Sequence, residues 1–178
     1  MTAQPRDLDY PDDLISSILR SVKTIAMVGA TPNTARPAHL VMKYLLGQGF
    51  RVIPVNPGQA GKDLLGQKVY ASLADIPEPI DMIDIFRRSD AADGIVDEAL
   101  ALDPRPRVIW MQLGVRNDVA AAKAEAAGLT VIMNRCPKIE FGRLCGEIGW
   151  FGVNSRRLSS RARQAPSTFQ RMRIPGKE

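Results

Sequence analysis

The stretch Thr24–Leu40, TIAMVGATPNTARPAHL, decides the fold. Its first five residues form an apolar run typical of a buried strand, and a turn of small residues begins at Gly29. Pro37 suits the first turn of a helix, because its missing N–H would have no partner there. The loop amides and the first helical turn would offer N–H donors to an anion. The stretch therefore predicts either a phosphate-binding loop or an ordinary connection between a strand and a helix.

The same alternation of strands and helices continues along the chain. Apolar runs typical of strands lie at Ile25–Val28, Arg51–Val55, Met82–Phe86, Arg107–Met111 and Thr130–Met133, and helical patterns lie at Pro37–Gln48, Ala91–Leu102 and Asn117–Ala127. This alternation predicts an α/β fold, a single Rossmann-like doubly wound parallel sheet of about five strands with helices on both faces. We expect the strand order 3-2-1-4-5.

A parallel sheet brings the carboxyl ends of all its strands to one edge, where open α/β sheets bind ligands. The expected strand order places the switch point between the first and fourth strands. Polar and glycine-bearing residues follow every strand, as a cleft or a set of turns would require. These residues are Gly29–Thr31, Asn56–Pro57, Phe86–Arg88, Gln112–Gly114 and Asn134–Cys136.

Composition narrows the class of protein. The chain has 178 residues, of which 45% are apolar and 24% are charged, as is ordinary for one soluble domain. No apolar stretch reaches the length of a membrane span and no leader is evident, so we expect a cytoplasmic protein with no membrane partner. With two cysteines nine residues apart and one histidine, a disulfide scaffold, a zinc site and a histidine cluster are all disfavoured.

The net charge of +5 is concentrated at one end of the chain. The segment 155–178 holds seven cationic side chains and one carboxylate, which predicts a basic flexible tail and makes nucleic-acid recognition unlikely. The preceding residues 24–154 form the predicted Rossmann-like domain. Residues 1–23 hold an N-terminal helix that Asp12 or Asp13 can cap, and Ser72 can cap a further short helix that Pro77 ends.

The loop and the second strand narrow the choice of nucleotide. The loop reads GATPNT from Gly29, where a dinucleotide fingerprint would need three glycines, and the second strand ends in Asn56-Pro57 without the carboxylate that holds a ribose diol. NAD is therefore disfavoured. Arg36 and Arg51 could instead meet a phosphate on the ribose, or could be solvated surface arginines. A P-loop sequence is absent.

Four blocks of sequence carry a resemblance to a known family. They are VGATPNTARPAHLVMKYLLGQGFRVIPVNPG from Val28, LLGQKVYASLADIPEPIDMIDIFRR from Leu64, VIWMQLGVRN from Val108 and VIMNRCPKIE from Val131. In this order they resemble the motifs of the CoA-binding domain proteins, a small stand-alone family related to the N-terminal domain of succinyl-CoA synthetase alpha subunits. The resemblance runs from about Lys23 to Cys145.

The resemblance implies a Rossmann-like domain that binds coenzyme A. It implies a phosphate loop formed by Gly29, Ala30, Thr31, Asn33 and Arg36. It implies that Arg51, Asn56 and Pro57 lie near the adenosine half, that Phe86 and Arg87 border the cleft, and that Gln112 and Cys136 face the pantetheine arm. The 3′-phosphate and pyrophosphate of CoA agree with the preference for cations over a carboxylate.

Two hypotheses compete for Cys136. Its neighbours Arg135 and Lys138 could lower the pKa of the thiol and favour a mixed disulfide with CoA. The residue could equally be a small buried side chain in a tight turn. The carboxylates of Asp75, Asp81 and Asp84 are not spaced for acid–base catalysis, so no catalytic residue is predicted.

Three functions remain open. The first, which we favour, is a binding module for CoA or an acyl-CoA that acts as a sensor, carrier or regulatory subunit without catalysis of its own. The second is a component of a multi-chain acyl-CoA synthetase or acyltransferase, because we expect no second domain with a phosphorylated histidine; its partner would be an ATP-grasp chain. The third is an NADPH-dependent reductase. A homo-oligomer is also possible.

Overall fold

A computed structural model describes residues 7–145 of the chain. The predicted basic tail at 155–178 lies outside these residues, as does the end of the predicted domain. None of the helices in the described part has the length and apolar character needed to cross a bilayer. The strands are β1 (Thr24–Val28), β2 (Arg51–Val55), β3 (Asp63–Leu64), β4 (Gln67–Lys68), β5 (Met82–Ile85), β6 (Val108–Met111) and β7 (Thr130–Ile132), and the helices are α1 (Asp12–Ser21), α2 (Pro37–Gly47), α3 (Ala92–Leu100), α4 (Asp118–Ala126) and α5 (Pro137–Leu144).

The sheet is parallel and is covered on both faces, as predicted. Its five strands follow the order β2-β1-β5-β6-β7, while β3 and β4 form a separate antiparallel hairpin. One face packs against α1, α2 and α5 through side chains such as Met27 and Trp110, and the other packs against α3 and α4 through side chains such as Ile83 and Ile109. Burial on both faces explains why the strands read as continuous apolar runs.

The predicted strand order is wrong at one place. The third predicted strand, β5, pairs with β1 and not with β2, so the five strands follow the order 2-1-3-4-5. The outer edge of β2 is occupied by the segment after the β3–β4 hairpin, where Tyr70 bridges to Val55 and exchanges backbone hydrogen bonds with Pro54 and Asn56. Because that edge is filled, β5 pairs on the far side of β1. The switch point therefore lies between β1 and β5.

The helix α5 was not predicted from the sequence, because it is short and carries few apolar residues. It packs against α1, where Arg143 of α5 donates to Asp12 of α1 at 2.7 Å. Arg143 also donates to Glu140 of its own helix at 2.6 Å. The expected capping by Asp12 or Asp13 is also wrong, since the N-cap is Pro11 and both carboxylates lie in the first turn. A carboxylate there is favoured by the helix dipole, and Asp12 also binds Arg143.

The predicted short helix after Ser72 is a 3-10 turn, Leu73–Asp75, and it ends before Pro77 as expected. Two further 3-10 turns occupy Pro57–Gln59 and Ser89–Ala91. Both follow strand ends on the carboxyl edge, one after β2 and one after β5, so the connections at the predicted ligand edge are tightly wound.

Candidate functional site

A cleft of about 720 Å³ lies at the switch point, beyond the carboxyl ends of β1 and β5. Helices α2 and α5 close it from one side, and the loop after β6 borders it from the other. A shallower cleft of about 640 Å³ shares its Phe86–Arg88 wall. The larger cleft brings together seven of the residues predicted for the site, namely Gly29, Thr31, Arg36, Phe86, Arg87, Gln112 and Cys136.

Gly29 is required by its geometry. Its φ is 93°, and a Cβ placed on it would lie 2.5 Å from the carbonyl oxygen of Phe86. Its N–H donates to the Val55 carbonyl at 2.9 Å, which ties the end of β1 to the end of β2. A glycine here lets the loop turn sharply and lets the β1 and β5 ends approach each other closely.

The loop between β1 and α2 is held by polar side chains that do not themselves line the cleft. Asn56 Nδ2 donates to the Ala30 carbonyl at 2.7 Å, and His39 Nδ1 lies 3.2 Å from the Thr31 carbonyl. Asn33 accepts from the Ala35 amide at 3.0 Å. Of the predicted ligand residues, Ala30, Asn33, Asn56 and Pro57 do not line the cleft, and the side chains of Asn33 and Asn56 support the loop.

The charge on the cleft wall has one sign. Arg36, Arg87, Arg88 and Lys138 line it, and among residues 7–145 no carboxylate does. Arg88 is neutralised by Asp90 at 2.8 Å. Within the same part of the chain Arg36, Arg87 and Lys138 have no ion-pair partner; Lys138 Nζ instead lies over the Tyr44 ring at 5.6 Å. Such a wall favours an anionic ligand.

Lys138 lines the cleft, although the sequence analysis considered this cation only for its effect on Cys136. It stands in the first turn of α5, directly after Pro137. The same pattern of a strand end, a short loop and a proline at the start of a helix occurs at Pro37. That repetition was the available signal, and it places two helix N-termini beside one cleft.

Arg51 is not brought to the cleft. It opens β2, pairs with Thr24 in the sheet, and so lies at the amino edge, one strand length away from the carboxyl ends. Its guanidinium donates to Glu78 at 2.7 Å and also to Gln67, and the hydrogen bond with Glu78 is the main cause of the raised pKa of Arg51. The cation that follows the carboxyl end of β2 is Lys62, whose Nζ donates to Gln59 at 3.1 Å.

The lining of the cleft also contains large apolar side chains. Leu40, Leu113 and Ile139 line the cleft although they are 49%, 55% and 53% exposed. They come from α2, from the loop after β6 and from α5. Large aliphatic side chains left open to solvent around a cleft are typical of a binding site with an apolar component.

Cys136 lies at the bottom of the cleft as the N-cap of α5. It is buried, and burial raises the pKa of its thiol above the ordinary value, although the amides of Ile139 and Lys138 and the charge of Lys138 act in the opposite direction. The expectation that neighbouring cations lower this pKa is therefore wrong. The structure therefore favours the alternative of a small buried side chain in a tight turn.

Asp84 is the residue that sequence reasoning undervalued. It is fully buried in the middle of β5, between Met27 of β1 and Trp110 of β6. Burial raises its pKa to about 8, against a lowering effect of Gln112, whose Nε2 donates to the two carboxyl oxygens at 3.0 and 3.2 Å. An aspartate inside the apolar run MIDIF was a visible signal, because aspartate is depleted in strands.

Comparisons with known proteins relate this chain to a family and to a solved structure. A sequence model of a family described as "CoA binding domain" matches residues 23–142. The protein YneT of Bacillus subtilis (strain 168) is 38% identical over 125 residues, which are 70% of this chain and 90% of YneT. The solved structure of cell-free ID.343 from Thermus thermophilus is 40% identical with a TM-score of 0.72, and the match covers 76% of this chain and 99% of that one.

A more distant structure shares the fold alone. The dinucleotide forming acetyl-coenzyme A synthetase 1 of Ca. Korarchaeum cryptofilum, in its apo form, is 22% identical with a TM-score of 0.54. The match covers 63% of this chain and 26% of that one.

Proposed function

Because the chain belongs to the CoA-binding domain family, we propose that its cleft binds coenzyme A or an acyl-CoA. The observation that carries the proposal is the lining of the cleft, which combines the unpaired cations Arg36 and Arg87 with apolar side chains such as Leu113 and Ile139. CoA likewise combines anionic phosphates with an uncharged pantetheine arm.

The phosphates are assigned to the cationic side chains of the cleft. Most amides of the loop after Gly29 and of the start of α2 are hydrogen-bonded within the loop and the helix, so this assignment rests on the charge of Arg36 and Arg87. The pantetheine arm is assigned to the apolar side chains of the lining, above Gln112 and Cys136. The adenosine half would then lie toward the end of β2, near Asn56.

The chain is proposed to act as a binding module, with a sensor, carrier or regulatory role. The polar groups of the site support binding more readily than catalysis. His39 contacts a loop carbonyl, Cys136 has a raised pKa, and Asp84 is sealed beneath Gln112. An NADPH-dependent reductase is less well supported, because the loop holds one glycine where the dinucleotide fingerprint needs three.

Calorimetric titration of the purified protein with CoA, 3′-dephospho-CoA and NADPH tests the proposal. We expect micromolar binding of CoA, weaker binding of 3′-dephospho-CoA, and weaker binding again of NADPH. Arg87→Ala is the informative variant and Arg51→Ala the matched control, because both remove one exposed guanidinium. Failure to bind CoA, with or without binding of NADPH, would overturn the proposal. An equal loss of CoA affinity in the two variants would overturn the placement of CoA in this cleft.

A second candidate is a subunit of a multi-chain acyl-CoA synthetase. It is favoured by the distant similarity to one quarter of a longer chain that is an acetyl-coenzyme A synthetase. In that case the chain would require a separate ATP-grasp chain. Acyl-CoA formation from acid, ATP and CoA on mixing the two chains, and by neither chain alone, would support this function.

A further inference from the structure

The cleft rests on a buried carboxyl group that has no cation beside it. Asp84 faces Met27 and Trp110 across the sheet, and within residues 7–145 its side chain accepts hydrogen bonds from Gln112 only. A buried carboxyl costs free energy unless hydrogen bonds or charges compensate for it. A leucine would fill this position of the apolar sheet at lower cost, so stability alone does not account for an aspartate here.

Gln112 connects this carboxyl group to the cleft. It follows β6, it is buried to more than nine tenths, and it lines the cleft. Its Nε2 donates to Asp84 and lies 3.0 and 3.2 Å from the two carboxyl oxygens, one of which stays an acceptor when the other carries a proton. Among the described residues, its Oε1 has no hydrogen-bond partner. The open side of Gln112 therefore offers an acceptor to whatever occupies the cleft.

We propose that Asp84 is a positioning residue, which holds Gln112 so that Oε1 faces the cleft and accepts an N–H from an amide of the pantetheine arm. The inference rests on the proposed binding of CoA. It adds which partner accepts and which donates in one hydrogen bond between the protein and the ligand. The pantetheine arm carries two secondary amides, and its N–H groups are the only donors between the pyrophosphate and the thiol apart from one hydroxyl. Without Asp84 the amide of Gln112 could rotate and present Nε2 instead, which would face an N–H donor with another donor.

The arrangement also explains why the acceptor is a glutamine. A carboxylate at position 112 would offer no N–H donor to Asp84 and would add a negative charge beside it. The amide oxygen accepts an N–H without that charge, and the hydrogen bond from Nε2 to Asp84 strengthens the oxygen as an acceptor through polarisation of the amide.

The test compares two ligands that differ by the pantetheine arm, CoA and adenosine 3′,5′-bisphosphate. Calorimetric affinities for both are measured with the unmodified protein and with Asp84→Leu, Asp84→Asn and Gln112→Leu. We expect Gln112→Leu and Asp84→Leu each to weaken CoA about tenfold, the factor for one hydrogen bond, and to leave the bisphosphate unchanged. Asp84→Asn should weaken CoA binding less than Asp84→Leu, because its Oδ1 can still accept from Gln112 Nε2 although its Nδ2 can also hold the rotated amide.

The double variant Asp84→Leu/Gln112→Leu separates positioning from an independent effect. If Asp84 acts through Gln112, the double variant binds CoA as Gln112→Leu does, with no additional loss. Losses that multiply to about a hundredfold would overturn the inference. So would equal losses for CoA and the bisphosphate, which indicate a structural role for Asp84.

The outcome also distinguishes the inference from the proposed function. If the unmodified protein fails to bind CoA, the proposed function fails and the inference falls with it. If the unmodified protein binds CoA and Gln112→Leu binds it equally well, the inference fails alone. Should Asp84→Leu not fold, Gln112→Leu and Asp84→Asn still decide the question, because Gln112 lies at the surface of the cleft and asparagine has the shape of aspartate.

Discussion

Arginines at the two edges of the sheet differ in whether a carboxylate neutralises them. At the amino edge Arg51 is bound by Glu78 and Arg107 is bound by Asp81, at 2.7 and 3.2 Å. At the carboxyl edge Arg36 and Arg87 have no such partner within residues 7–145, and no carboxylate of that part of the chain lines their cleft. Arg51 and Arg107 are thus neutralised at the amino edge, whereas Arg36 and Arg87 are left unpaired in the cleft, where only Arg88 of the three arginines has a carboxylate partner.

The difference has a physical origin in the parallel sheet. Helix N-termini meet the carboxyl edge, so that edge already carries positive potential, and unpaired arginines add to it. At the amino edge the strands begin, and carboxylates such as Asp81 are held by the backbone N–H groups of Lys23 and Thr24. The comparison therefore predicts that changes at the carboxyl edge alter ligand binding and that changes at the amino edge alter stability alone.

The largest expected effect is on the pH dependence of the unfolding free energy, and it concerns the two aspartates Asp84 and Asp81. Asp84 in the middle of the strand has a pKa raised by burial to about 8 from 3.8. Its contribution to stability is fully present below about pH 3.8 and is lost as the pH rises through 8, by about 1.4 kcal/mol per pH unit. We expect Asp84→Asn to remove this slope and to exceed the unmodified protein by about 4 kcal/mol at pH 7. Urea denaturation at several pH values measures it.

Asp81, just before β5, is the control with the opposite sign. Burial alone would raise its pKa, but the amides of Thr24 and Lys23 together with Arg107 lower it below the ordinary value. Its stabilising contribution is present above pH 3.8 and is lost as the pH falls through the lowered pKa. Asp81→Asn should therefore destabilise the protein at neutral pH. Parallel pH slopes in the two variants would contradict the assignment.

The next largest effect is the loss of unfolding free energy when a glycine near either edge is replaced by alanine. Gly29→Ala places a Cβ against the Phe86 carbonyl at a φ of 93°, and we expect a loss of about 3 kcal/mol in unfolding free energy. Gly49, before β2, has a φ of 89° and open space around it, so Gly49→Ala should cost only about 1 kcal/mol. Thermal unfolding and CoA titration report both. CoA affinity should fall for the Gly29 variant and stay unchanged for the Gly49 variant.

Arginine variants test whether the two edges differ in their contribution to CoA binding. Arg36→Ala and Arg87→Ala each remove an unpaired cleft guanidinium, and we expect about a tenfold loss of CoA affinity, as for one hydrogen bond to a charged group. Arg51→Ala should leave the affinity within about twofold. Calorimetry at constant ionic strength measures all three. A tenfold loss in Arg51→Ala would restore the sequence-based assignment of that residue to the ligand.

The smallest effect concerns the stability of the amino edge. Arg51 is about half exposed and its partner Glu78 is about one third exposed. Ion pairs of this exposure contribute about 0.5 kcal/mol, so Arg51→Ala should lower the unfolding free energy by no more than that. Chemical denaturation with Glu78→Ala and the double variant isolates the pair. A coupling above about 1 kcal/mol would show that the amino edge depends on it more than expected.

Much of the fold could be predicted from the sequence. All five predicted strands form with ends within one residue of those expected, and three predicted helices form within two residues. The reason is that apolar periodicity records burial directly, and most of these elements are buried along their length. Helix α5 was not predicted because it is polar and short. Its position depends on contacts with α1, such as that of Arg143 with Asp12.

The candidate site was predicted in part. Gly29, Thr31, Phe86 and Gln112 meet at the cleft because each follows a strand, which the sequence does indicate. The structure does not bring Arg51 to the cleft, because a residue that opens a parallel strand lies at the edge opposite the carboxyl ends of the strands. The partners that neutralise it, Glu78 and Gln67, come from loops whose positions no local pattern fixes.

The sequence by itself determined the parallel α/β fold, the turn at Gly29 and the collection of strand-end residues at one edge, because each follows from local spacing. Only the tertiary structure decided the strand order, the pairing of each cation and the burial of Asp84 beneath Gln112. Those features depend on which sheet edge is filled by Tyr70 and on which distant side chains meet. Contacts of that kind are formed by packing among remote segments, and periodicity along the chain does not encode them.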